Sequence, residues 1–125
     1  MHLYWGDLHN HCGITYGIGS LANALSAARE QLDFCAVTGH ALWPDIPART
    51  PATDYLVEFH ERGFARLAAG WEAVRAEIAA ANDPGRFVTF QSYEMHSRRY
   101  GDHHVLSPAD DLPLAHGESP AAILA

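Results

Sequence analysis

Potential metal ligands recur where the sequence predicts strands to end. Asp7, His9 and His11 lie on a first predicted strand, His40 follows a second, and Glu94 follows a third. His9 and His11 are two positions apart, roughly 7 Å along a strand, so both imidazoles lie on one face and can reach one ion or two adjacent ions. Imidazole nitrogen and carboxylate oxygen together suit Zn, Mn or Fe better than Ca, which prefers an all-oxygen shell. The pattern therefore predicts a divalent-metal site.

The acidic member of this set indicates the reaction. The two oxygens of Glu94 could bridge two cations, and a bridged pair about 3.5 to 4 Å apart is the usual arrangement for activating water against a phosphate or carbonyl centre. Nine of the 125 residues are histidine, so an isolated His-x-His pattern is more often incidental than a metal site. The convergence of three strand ends is what favours a metal-dependent hydrolysis.

The predicted elements alternate between strand and helix. Strands are predicted over residues 3 to 11, 33 to 38 and 87 to 93, with a short fourth at 104 to 106; helices are predicted over 21 to 31 and 54 to 81, and Gly63 is a candidate break in the second helix. Three prolines make residues 41 to 53 a predicted loop, either a connector or a lid. Strand, helix, strand in this order predicts a parallel α/β sheet, whose carboxyl ends open on one side and gather the ligands there.

Two further histidines are predicted to play no part in the site. His60 lies among charged residues of the long helix, and we expect it on a solvated face. The aromatic stripe of the same helix, Phe59, Phe64 and Trp71, is predicted to pack in the core. His96 is predicted to be a loop histidine, with an extra metal ligand or a proton shuttle as the alternative.

Composition limits the class of protein. A length of 125 residues suits one domain, and eight basic against 15 acidic residues give a net charge of -7, so no broad cationic surface is available for nucleic acid or anionic lipid. A small-molecule substrate is the predicted partner. No long apolar run or signal-peptide pattern is present, so we expect no membrane span and a cytoplasmic protein. Cys12 and Cys35 are predicted to be buried reduced thiols.

Four segments together resemble a known group of hydrolases. Asp7-Leu8-His9-Asn10-His11, Thr38-Gly39-His40, Tyr93-Glu94 and Gly101-Asp102-His103-His104-Val105 resemble the successive motifs of the PHP superfamily of metal-dependent hydrolases, over residues 4 to about 108. Tyr4-Trp5-Gly6-Asp7 and Tyr93-Glu94-Met95-His96-Ser97 are most similar to the DUF3604 group, near hydrolases of the CehA/McbA type. The resemblance implies a distorted seven-stranded β/α barrel, TIM-like in its architecture, with two or three divalent ions at the carboxyl ends of its strands.

The same resemblance implies roles for individual residues. His9 and His11 would hold a first ion, Glu94 would bridge it to a second, and His40 would hold a third or neighbouring ion. His104 would serve the second ion, and it is preferred to His103 because Val105 and Leu106 follow it directly. Asp7 would orient a ligating histidine, with an ordinary turn or salt-bridge carboxylate as the alternative.

The sequence departs from the motifs of this superfamily in two ways. Gly39 stands where those motifs commonly carry an acidic residue, which leaves the ion site at His40 one ligand short. The later histidine and Asp-x-His motifs do not follow, so residues 1 to 125 are predicted to be a single PHP-like domain that is an incomplete N-terminal portion of the barrel. An uncovered sheet edge would then favour self-association. The alternatives to an enzyme are a non-catalytic metal-binding domain and an inactive fragment of such a hydrolase.

Overall fold

Five strands and three helices succeed one another along the chain in a mixed α/β order. The computed structural model describes residues 1 to 125. Its elements are β1 (Gly6–Asn10), α1 (Leu21–Arg29), β2 (Phe34–Val37), β3 (Gly39–Leu42), α2 (Asp54–Ala81), β4 (Val88–Met95), β5 (His103–Ser107) and α3 (Pro120–Leu124). The predicted α/β class is confirmed, and the predicted strands and long helices are present within a few residues of their expected bounds.

The strands form one mostly parallel sheet that is open rather than closed. β1 pairs with β2, β2 pairs with β4, and β3 also pairs with β4, all in parallel. β5 runs antiparallel beside β4. β1, β3 and β5 each pair with one strand only, so the sheet has free edges.

The loop predicted over residues 41 to 53 begins later than expected, because β3 occupies its first two residues. Residues 41 and 42 were expected to begin a proline-rich connection, but they end a strand that starts at Gly39. Phe34 pairs with Val88 and His40 pairs with Glu94, a constant offset, so β2 and β3 follow one another along β4 with Thr38 as the interruption. The strand ends before Pro44 because proline cannot continue the hydrogen-bonded ladder.

The helices bury their apolar faces in the core. α1 begins after Ser20, whose hydroxyl accepts a hydrogen bond from the Asn23 backbone N–H at 3.2 Å, and it buries Leu21 and Leu25. α2 is continuous, so the expected break near Gly63 is wrong. Gly63 is instead buried where the helix meets Tyr16, since a Cβ added at Gly63 would lie 2.3 Å from Tyr16 Cδ1.

One core joins α2 to the sheet. Its buried residues include Leu67, Trp71, Val74 and Ile78 of α2, Val37 of β2, Tyr93 of β4 and both cysteines. The cysteines are free and buried, as predicted. Of the aromatic stripe, Trp71 is buried and donates its indole N–H to the Leu112 carbonyl at 2.8 Å, whereas Phe59 is 39% exposed. No helix combines the length and the apolar character that crossing a bilayer requires.

Candidate metal centre

The strand register places one histidine on each side of Glu94. In the β3–β4 ladder His40 pairs with Glu94, and in the β4–β5 ladder Glu94 pairs with His104. Paired residues of neighbouring strands project from the same face of a sheet. Three adjacent strands therefore present one imidazole, one carboxylate and one imidazole side by side.

Two more histidines approach the same carboxylate from β1. The Oε2 atom of Glu94 lies 3.4 Å from His9 Nε2, 3.5 Å from His11 Nε2, 3.6 Å from His104 Nε2 and 3.8 Å from His40 Nε2. His96 completes the group, because its Nδ1 atom lies 3.8 Å from Glu94 Oε1. We call these six residues the histidine cluster. All five ligands expected from the sequence are brought together in it.

The buried polar atoms of the cluster lack hydrogen-bond partners. Glu94 is 2% exposed and its Oε2 atom accepts no hydrogen bond, while His104 Nε2 and His40 Nδ1 are also buried without a partner. Leaving a buried polar group unpaired costs about 1 to 3 kcal/mol, more for a charged group. A cation among these atoms would remove that cost, so the donor set fits a divalent ion.

His9 and His11 approach each other closely enough to share an ion. Their Nε2 atoms are 3.0 Å apart, and both lie within 4.8 Å of a Glu94 oxygen. Ligand nitrogens about 2.0 to 2.1 Å from one ion are themselves separated by about 3 to 3.4 Å. The spacing of the two nitrogens thus matches two neighbouring positions in one coordination shell.

Hydrogen bonds at the end of β1 hold these two histidines in place. The Asn10 side-chain amide donates to the Ala36 carbonyl at 2.9 Å, and the Thr38 backbone N–H donates to the Asn10 carbonyl at 2.9 Å. Asn10 lies between His9 and His11, so these two hydrogen bonds fix the position of both histidines. Asp7 contributes through the main chain: its carboxylate accepts from the His9 backbone N–H at 2.9 Å and has no hydrogen bond to an imidazole, which differs from its expected role.

His96 belongs to the cluster, which differs from its expected place in an uninvolved loop. It follows β4 and its ring stacks on the His40 ring, with centroids 4.1 Å apart. His40, Glu94 and His96 form a second group whose potential ligand atoms lie within 4.8 Å of one another. The signal that could have identified His96 is its spacing: it is two residues beyond Glu94, which returns a side chain to the same face of an extended segment.

Asp45 ties the segment after β4 to the loop after β3. Its carboxylate accepts hydrogen bonds from the Ser97 hydroxyl at 3.2 Å and from the backbone N–H groups of Arg98 and Arg99 at 2.9 and 2.8 Å. The His96 backbone N–H also donates to the Leu42 carbonyl at 2.9 Å. These bonds hold His96 beside the end of β3 and therefore beside His40.

Burial keeps two of the imidazoles neutral. It is the largest cause that, together with the neighbouring His96 and His11, lowers the pKa of His40 to about 3. Burial also lowers the pKa of His11, an effect that the charge of Glu94 partly opposes. A neutral imidazole has a lone pair for a metal ion, so both side chains are in their ligating form at neutral pH.

His60 lies at the border of the cluster and not on a solvated face as predicted. Its ring centroid is 5.0 Å from that of Trp43, 5.3 Å from that of Tyr16 and 5.6 Å from that of His96. Its helical spacing from Val57 and Phe64, three and four residues away, was the sequence signal for a position facing the sheet.

The chain matches no protein-family model, no curated protein and no solved structure.

Proposed function

We propose that this chain is a metal-dependent hydrolase of the PHP type that uses metal-activated water on phosphoester or on carboxyl or carbamate ester bonds. The observation that carries the proposal is the Oε2 atom of Glu94, which is buried without a hydrogen bond and lies 3.4 to 3.8 Å from the Nε2 atoms of four histidines. The mostly parallel order of the strands also supports the proposal that the sheet belongs to a distorted β/α barrel.

The ligand atoms indicate which ions the cluster would bind. Five imidazoles and one carboxylate favour Zn, Mn or Fe over Ca and Mg, which prefer oxygen. His9, His11 and Glu94 would hold the first ion, with His104 beside Glu94 on the opposite strand. Two or three ions in all are the number that the resemblance to the PHP superfamily implies.

Divalent ions, when bound, lower the pKa of water towards neutrality and neutralise the negative charge that develops during hydrolysis. The chain supplies a charge, neutral ligands and an open approach for this chemistry. Glu94 provides a fixed negative charge at the centre of the cluster, and the buried imidazoles remain neutral donors. The His9 side chain is 53% exposed, so a small-molecule substrate can approach the cluster from the β1 side.

Metal content and hydrolysis together test the proposal. Protein purified without chelator should contain stoichiometric Zn, Mn or Fe, and it should hydrolyse a generic phosphoester, carboxyl ester or carbamate when Mn is supplied. Changing both His9 and His11 to Ala should remove the first ion and the activity. His2→Ala together with His116→Ala is a matched control, because both of these histidines are exposed and lie outside the cluster. Unchanged metal content in the His9/His11 double variant would count against the proposal.

A non-catalytic metal-binding domain is the second candidate, and the open sheet favours it. One edge of the cluster is formed by β1, which has a neighbouring strand on one side only, so the site is not enclosed as a catalytic pocket usually is. A protein that binds metal in stoichiometric amounts and hydrolyses none of the three substrate classes would support this candidate. Equal melting temperatures with and without metal would exclude both candidates.

A further inference from the structure

The structure offers a replacement for the acidic residue that is missing before His40. A side chain at Gly39 would point towards Ile14 and Thr15, since an added Cβ would lie 2.9 Å from Ile14 Cδ1 and 3.2 Å from Thr15 Cγ2. His40, the next residue along β3, faces Glu94. A ligand that accompanies His40 must therefore come from another segment. The rings of His96, His11 and Tyr16 all stack on that of His40, and His96 is the nearest, with centroids 4.1 Å apart.

His96 is held in the way that metal-binding histidines are usually held. Its Nδ1 atom lies 3.0 Å from Asp102 Oδ1, and its Nε2 atom lies 3.2 Å from the Tyr16 hydroxyl. Histidine ligands of metals generally donate the N–H of one ring nitrogen to an oxygen acceptor, which fixes the ring and raises the basicity of the other nitrogen. The Tyr16 hydroxyl can accept the Nε2–H, and Nδ1, which also lies 3.8 Å from Glu94 Oε1, then keeps its lone pair.

The two oxygens of Glu94 face different histidines. Oε2 is nearest to His9 and His11, at 3.4 and 3.5 Å, whereas Oε1 is 3.8 Å from His96. The cluster contains two groups of potential ligands that share only Glu94, one with His9 and His11 and the other with His40 and His96. His104, whose Nε2 atom lies 3.6 Å from Oε2, belongs to neither group. A carboxylate shared in this way is suited to bridging two ions.

We propose that His40, His96 and Glu94 form a second divalent-ion site, with Tyr16 as the residue that positions His96. The site restores the ligand that Gly39 cannot provide, and it uses a histidine to which the resemblance gives no ligand role. This inference rests on the proposed function, because it takes the first ion at His9, His11 and Glu94 as given. The ligand is a borderline divalent cation such as Mn or Zn, since two imidazoles and a carboxylate surround it.

The test is the number of ions bound by the full chain. Chelator-treated protein is titrated with Mn, and bound Mn is measured by equilibrium dialysis and elemental analysis. Wild type should bind at least two ions, and H96Q should bind one fewer. H103Q is the matched control, because His103 lies in the same region and its ring makes a hydrogen bond to the Gly101 carbonyl; it should bind as many ions as wild type. Retention of the first ion by H96Q shows that the variant is folded.

A second variant and a spectroscopic readout separate the possible outcomes. Y16F removes only the hydroxyl that faces His96 Nε2, and it should weaken binding of the second ion about 10- to 100-fold while leaving the first unchanged. Electron paramagnetic resonance of the Mn-loaded protein should show a coupled pair in wild type and an isolated ion in H96Q. An equal number of ions in H96Q and wild type, or one ion in wild type, would overturn the second site and leave the hydrolase proposal intact. No bound ion in wild type would overturn both.

Discussion

The Oε2 atom of Glu94 and the Nε2 atom of His104 lie 3.6 Å apart, both buried and neither hydrogen-bonded. The two residues are register partners across the antiparallel β4–β5 ladder, so the backbone fixes their proximity. An acceptor and a ring nitrogen held at this distance without a bond are poorly suited to stabilising the fold by themselves. They are well suited to ligating an ion that both can reach.

Changing Glu94 to Gln should abolish metal binding and leave the metal-free fold at least as stable. The amide keeps the size of the side chain but removes the buried charge, whose unsatisfied oxygen costs about 1 to 3 kcal/mol. Elemental analysis of the purified variant should find almost no bound Zn, Mn or Fe, while urea unfolding in chelator should give a free energy of unfolding equal to or above that of wild type.

A second variant of β4 separates the effect of a buried charge from the loss of metal. Changing Gln91, which also lies in β4 and is 1% exposed, to Glu is a matched control for charge burial in the same strand. That variant should lose stability and keep its metal. If Glu94→Gln retained its metal and lost stability as well, Glu94 would be a structural residue and the proposed centre would be wrong.

Part of the centre is predictable from local sequence pattern. The alternation around His9 and His11 and the β-branched and aromatic run before Glu94 indicate strands, and in a parallel sheet the carboxyl ends of strands lie together. α1 and α2 are predictable from the spacing of apolar residues such as Leu21 and Leu25. These features depend only on residues close to each other in sequence.

The rest depends on pairings between distant segments. His40 faces Glu94 because β3 continues the line of β2 after Thr38, and the sequence from 39 to 42 is too short and too weakly β-forming to indicate this. His104 faces Glu94 because β5 returns antiparallel, a direction that the sequence does not encode locally. His96 enters the cluster through hydrogen bonds of the following turn to Asp45, more than 50 residues earlier in the chain.

Acidification should destabilise the metal-free protein below pH 6.5. The pKa of His40 is about 3 in the folded chain and 6.5 in the unfolded chain, so between these values the unfolded state binds more protons. The free energy of unfolding therefore rises with pH across this window and is lost as the pH falls through it. The lowered pKa of His11 acts in the same direction.

Thermal melting in chelator at pH 7 and pH 5 measures this effect. Wild type should melt at a lower temperature at pH 5, and the difference should shrink in His40→Gln. His116→Gln is the control, because this exposed residue lies outside the cluster, and it should behave as wild type. An equal decrease in His40→Gln and wild type would show that other groups cause the pH dependence.

The free edge of β1 should support self-association. β1 pairs only with β2, and just before it Leu3, Tyr4 and Trp5 are 69%, 66% and 65% exposed. Unpaired edges next to apolar side chains favour pairing with another chain. Light scattering should give a mass that increases with concentration, and Trp5→Glu should reduce it. Ile18→Glu places the same charge on a residue that is 97% exposed elsewhere, and it should not. A wild-type protein that is monomeric at every concentration would contradict this expectation.

Two glycines of α2 should respond oppositely to alanine. In the interior of a helix, Gly→Ala normally stabilises by about 0.5 to 1 kcal/mol, and Gly70 has open space around it. At Gly63 the new methyl group would lie 2.3 Å from Tyr16 Cδ1, and the Tyr16 ring is confined between those of His40 and Phe59, at 4.6 and 4.5 Å. Urea unfolding should show Gly70→Ala more stable than wild type and Gly63→Ala less stable by about 1 to 3 kcal/mol. If Gly63→Ala matched Gly70→Ala, the close packing of Tyr16 between α2 and the histidine cluster would be incorrect.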